Sequence, residues 1–134
     1  MDGVCSLGMS ASISPRTVLV VEDEDLVREL SAMELRDAGY QVLEAPTARE
    51  ALGILNSGAV VALVFTDVNM PGELDGLQLA DIVRDRWPDV RLIVTSGGGA
   101  VGPHDVLPPG RFIAKPYPLE LMITAVRDLA GAPT

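Results

Sequence analysis

The chain lacks most features of a secreted or membrane protein. Cys5 is its only cysteine in 134 residues, so no internal disulfide and no cysteine-built metal cage can form. No stretch is long and apolar enough to cross a bilayer, and the first fourteen residues have no positively charged start of the kind a secretory signal needs. A cytoplasmic location is the resulting expectation. Aromatic residues make up 4% of the chain, so aliphatic side chains must fill the core. Cations are scarce as well: ten Lys and Arg against nineteen Asp and Glu give a net charge of -9. That balance opposes binding along a phosphate backbone, where affinity comes from Lys and Arg. Direct contact with nucleic acid is not expected.

What is present describes one ordinary globular unit. The length is close to the modal size of a single domain, and 48% hydrophobic with 22% charged residues argues against global disorder. Residues 1–14 read as a flexible N-terminal extension and 15–134 as the domain. Short β-branched runs alternate with longer segments of helical spacing, the signal for βαβ units and a parallel sheet. The strands fall at Thr17–Val21, Tyr40–Leu43, Val60–Phe65, Val90–Val94 and Phe112–Ala114. The run from Val60 is apolar on both faces, as a central parallel strand should be.

The helices follow from caps and periodicity. One begins near Asp25, with Leu26, Leu30, Met33 and Ala38 on one side and Gly39 as its stop. Thr47 and Glu50 have capping-box spacing, with Ala51, Leu52 and Leu55 facing the core. Leu77, Ala80, Val83 and Trp87 mark a third helix that Pro88 ends. A last helix starts near Pro118 and buries Leu119, Met122, Ile123, Val126 and Leu129. The segment Ser96–Gly110 is too rich in Gly and Pro for more than a short helix, since each interior Gly costs about 1 and each Pro about 3 kcal/mol relative to Ala.

The polar residues that end the strands carry the chemistry. Glu22 and Asp23 follow the first run, Asp67 the third, Thr95 the fourth and Lys115 the fifth. In a parallel sheet these converge on one edge, where open α/β folds place ligands. Crowded acids repel one another unless a cation sits among them, and a hard ion such as Mg²⁺ suits oxygen ligands.

Val20-Val-Glu-Asp-Glu24, Phe65-Thr-Asp-Val-Asn-Met-Pro71, Val94-Thr-Ser96 and Ala114-Lys-Pro-Tyr117 resemble, in order and spacing, the signature segments of response-regulator receiver domains of two-component signalling. The resemblance spans about Arg16 to Ala130. It implies a flavodoxin-like α/β/α fold with strand order 2-1-3-4-5, here with a short or irregular fourth helix. It also implies a phosphorelay module, not a conventional enzyme, that takes a phosphoryl group from a histidine kinase or phosphotransfer protein. Asp67 would be the phosphoacceptor. Asp23, Asp67 and the backbone carbonyl of Asn69 would hold Mg²⁺, with Glu22 reaching the ion directly or through water. Lys115 would pair with Asp67 and then with a phosphoryl oxygen, before a Pro116 whose peptide bond is cis in the family. Thr95 and Phe112 would form the conformational switch. Signalling would then pass to a protein target, through a relay, or through a longer chain, and a phosphorylation-dependent dimer is compatible with this.

Three departures from the family pattern stand out. Glu occupies position 22 in place of the commoner Asp. The loop Pro71–Gly76 looks one residue longer than usual, which would alter access to the acceptor. The Gly/Pro-rich stretch occupies the place of the fourth helix, so partner recognition is expected to use a modified surface or an order/disorder change on phosphorylation. Two rival readings are a phosphatase of the haloacid dehalogenase type and a non-phosphorylated receiver-like adaptor. The first needs a second acid two residues past the nucleophile, where this chain has Asn69; the second usually lacks the acceptor or the metal acids, all of which are present.

Overall fold

The computed structural model describes residues 16–98, 102–106 and 110–134. The expected extension over residues 1–14 lies outside them. Five parallel strands form one sheet: β1 (Thr17–Val21), β2 (Gln41–Ala45), β3 (Leu63–Asp67), β4 (Arg91–Ser96) and β5 (Arg111–Ala114). Their spatial order is β2-β1-β3-β4-β5, as the resemblance implies. The helices are α1 (Asp25–Asp37), α2 (Ala48–Asn56), α3 (Gly76–Arg86) and α4 (Leu119–Ala130).

Alternation along the strands builds two cores. Leu19, Val21, Val64 and Val94 pack with α2 and α3 on one face, while Val18, Val20, Phe65 and Ile93 pack with α1 and α4 on the other. Every residue of β3 is buried, which makes it the centre of the sheet.

The expected third strand began too early. Val60 is 89% exposed, and the strand runs instead from Leu63 to Asp67, because Ala62 is held by Thr17 and Arg91 as a connection into the ladder. The apolar side read on α1 turns mostly away from the core. Leu26, Leu30 and Met33 are 81%, 45% and 50% exposed, and the helix buries Ser31, Ala32 and Leu35. Hydrophobic spacing marked a stripe that points outward.

Thr47 caps α2 by accepting from Glu50 N at 3.1 Å, but the Glu50 carboxylate meets the Thr47 hydroxyl at 3.3 Å and not the backbone. The reciprocal capping box is at α3, between Asp75 and Gln78. Between β4 and β5 the described residues hold a single 3-10 turn, Pro103–Asp105, anchored by buried Val106. The fourth helix is thus reduced to one turn among the described residues; 99–101 and 107–109 lie outside them.

Candidate functional site

Strand ends deliver the polar residues to one edge. Glu22 N makes the last bond beyond β1, to Ala45 O at 3.1 Å, so Glu22 and Asp23 leave the sheet together. Asp67 closes β3 opposite Thr95 in the ladder, and Val68 N donates to Thr95 O at 2.9 Å. Lys115 N donates to Ser96 O at 3.0 Å, which sets the lysine just past β5. Carboxylate oxygens of Glu22, Asp23 and Asp67 lie within 4.8 Å of one another. The Lys115 ammonium sits 3.2 Å from Asp67 Oδ2 and 3.3 Å from Glu22 Oε1.

Backbone amides hold the other oxygens. Asn69 N donates to Asp67 Oδ1 at 3.4 Å and Glu24 N to Glu22 Oε2 at 3.2 Å. Glu22 and Asp67 are buried, and Asp23 is the more open of the three. The Thr95 hydroxyl is buried with no hydrogen-bond partner among the described residues. An unmet buried donor of this kind is costly.

The cluster is short of positive charge. Three carboxylates face one ammonium, a surplus of two negative charges that a divalent ion would balance. Burial, and then repulsion from Asp67, raises the Glu22 carboxyl above its usual range, against the Glu24 amide and Lys115. Burial works against the Lys115 ammonium, but Asp67 and Glu22 outweigh it and hold the lysine above its usual range. An all-oxygen donor set with this surplus fits Mg²⁺, which binds through one or two carboxylates and keeps several waters.

A raised acid binds its proton more tightly in the native than in the unfolded chain. Metal-free stability therefore falls as pH rises from the usual carboxylate range through the native value of Glu22. Glu22→Gln is expected to flatten that part of the profile. Thermal melts at stepped pH in chelator check it, and superimposable profiles for the two proteins would count against it.

Neighbouring positions are placed as follows. Phe112 is half-buried against the α2/α3 core and pairs with Val94, one residue before Thr95. Asn69 is exposed two residues past Asp67. A side chain at Gly97 would begin 3.3 Å from Lys115 Cβ, so this glycine leaves room for the lysine. The Lys115–Pro116 peptide bond is cis. Sequence reasoning missed Gly76, which packs on the backbone of Asp67, and Arg28, which bonds the Glu22 carbonyl. An arginine three residues after Asp25 was the available signal for the second.

The chain matches the response regulator receiver domain over residues 18–127. The sensor kinase CckA of Brucella abortus (strain 2308) is 38% identical over 117 residues, which cover 84% of this chain and 12% of the kinase. A response regulator receiver protein from Sinorhizobium medicae WSM419 superposes with a TM-score of 0.81 at 29% identity, over 90% of this chain and 98% of that one. TrrA of Thermotoga maritima, solved in complex with Mg²⁺-BeF, gives a TM-score of 0.73 at 28% identity, over 85% and 98%. No described helix is long and apolar enough to cross a membrane. Sheet order, acidic cluster and matched span agree: this chain belongs to the response-regulator receiver domain family of two-component systems.

Proposed function

We propose that this receiver domain, residues 15–134, accepts one phosphoryl group on Asp67 from a histidine kinase or phosphotransfer protein in the cytoplasm. The observation that carries the reading is the joint placement of Asp67, Lys115 and the Thr95 hydroxyl, unpartnered among the described residues, at the tips of three adjacent strands. A carboxylate oxygen of Asp67 attacks phosphorus in line, an O–P bond forms, and the P–N bond to the donor imidazole breaks. Lys115, already 3.2 Å from Asp67, offsets charge on the phosphoryl oxygens. Asp23, Asp67 and the Asn69 carbonyl would hold Mg²⁺, with Glu22 beside them. When bound, the ion neutralises the acid surplus and the incoming phosphoryl charge.

Thr95 then donates its free hydroxyl to the phosphoryl group, and Phe112 moves into the space left behind. The signal passes to a protein partner through this change. Catalysis is limited to the domain's own phosphorylation and dephosphorylation. Incubation with Mg²⁺ and a small acyl-phosphate donor, followed by intact mass, tests the reading. One added phosphoryl group that chelator prevents is the expected result. Steady phosphate release from many substrates would indicate a hydrolase, and no change would indicate an adaptor.

The outward stripe of α1 supports a helical phosphodonor. Leu26, Leu30 and Met33 form an exposed apolar row that begins three residues past Asp23, suited to an apolar helix face that carries the histidine to the acids. The double substitution Leu26→Ser, Leu30→Ser is expected to slow transfer from the histidine donor about tenfold or more, as loss of an interface anchor does. Stability and labelling by the small donor stay unchanged. Equal transfer rates would remove this surface from the reading.

A further inference from the structure

Arg28 takes no part in the chemistry described above, yet its side chain is only 13% exposed and spans three elements. Its Nη1 donates to the Glu22 carbonyl at 2.9 Å, its Nη2 to Asp25 Oδ1 at 2.8 Å, and its Nε lies 3.4 Å from Glu44 Oε1 on β2. The second oxygen of Glu44 is held by Arg36 at 3.3 Å. The Glu22 carbonyl lies beyond the last ladder bond of β1, and Arg28 satisfies it.

The three acids are not held alike. Glu22 is fixed by Lys115 and the Glu24 amide, and Asp67 by Lys115 and the Asn69 amide. No hydrogen bond or ion pair to the Asp23 carboxylate is found among the described residues. Its direction is set by its backbone, and the peptide that begins Asp23 is the one whose carbonyl Arg28 grips. A planar guanidinium with several fixed donors can lock that peptide against α1 and β2 at once.

We infer that Arg28 is a positioning residue for the ion site, acting through the Glu22–Asp23 peptide to aim Asp23 at Asp67. The inference rests on the proposed reading of these acids as Mg²⁺ ligands. Outer-shell partners of this kind typically govern affinity by about 10- to 100-fold. A purely structural role would predict something else: loss of stability with no change in Mg²⁺ affinity.

Calorimetric titration with Mg²⁺, paired with thermal melts in chelator, separates the two. Arg28→Gln is expected to weaken Mg²⁺ binding about 10- to 100-fold. Arg28→Lys keeps the charge but not the fork, so it stays at least about fivefold weaker than the parent; it carries the test if Arg28→Gln does not fold. Glu44→Gln, which removes the ion pairs to Arg28 and Arg36 but leaves the grip on Glu22, loses melting temperature while Mg²⁺ affinity stays within about twofold. Full affinity in either Arg28 variant, or an equal loss in Glu44→Gln, would overturn the role of Arg28 alone. Failure of the unaltered chain to bind Mg²⁺ would overturn the reading beneath it.

Discussion

Gly76→Ala is expected to cost about 3 kcal/mol of stability or to prevent folding, although alanine is the better helix former by about 1 kcal/mol. The reason is contact, not conformation. A Cβ at Gly76 would fall 2.1 Å from the Asp67 carbonyl oxygen, 2.7 Å from its carbon and 2.8 Å from Val68 Cα. All three are backbone atoms of the central strand's end and have no side chain to move aside. The helix cannot retreat cheaply, because Gly76 N bonds Val68 O at 3.0 Å and the Asp75–Gln78 box fixes the first turn. Gly53, in α2, has nothing within 4 Å of the same added atom, so Gly53→Ala should gain up to about 1 kcal/mol. Urea unfolding of the two variants checks the contrast. A Gly76→Ala protein within about 0.5 kcal/mol of the parent, the range of an ordinary surface change, would refute it.

That close approach explains part of what sequence reading can and cannot see. Alternation of apolar runs and helical periods was enough for the βα order, because burial on both faces of β3 leaves a continuous apolar signature. The acids, Thr95 and Lys115 were legible because parallel topology sends strand C-termini to a common edge. The limits of β3 were not, since Val60 and Val61 have the same β-branched character as the strand that follows, and only the bonds Ala62 makes, donating to Thr17 O and accepting from Arg91 N, decide where pairing starts. The stripe on α1 misled for a related reason: periodicity reports an apolar face without saying whether the domain or a partner covers it. Ser31, Ala32 and Leu35 form the true inner face. Gly76 and Arg28 were missed because each matters through one backbone carbonyl, of Asp67 and Glu22 respectively, and a carbonyl leaves no mark on a side-chain pattern.

Asp67→Asn is expected to abolish phosphorylation while leaving the fold within about 1 kcal/mol of the parent. The carboxamide has no anionic oxygen to attack phosphorus, so intact mass after exposure to Mg²⁺ and the acyl-phosphate donor should show no addition. Removing one partner of a buried ion pair ordinarily costs about 3–5 kcal/mol, because the other charge is left alone. Here Lys115 keeps Glu22 at 3.3 Å, and its side chain is a quarter exposed. The neutral residue also removes the Asp67 charge that repels Glu22. Loss of attraction and loss of repulsion oppose each other, and the net change in urea unfolding is small. Mg²⁺ breaks the symmetry. A ligand that binds the native state stabilises it in proportion to its affinity, so the ion should raise the melting temperature of the parent well above that of Asp67→Asn. Equal rises would mean that the ion is held without Asp67, and an added phosphoryl group on the variant would move the acceptor elsewhere.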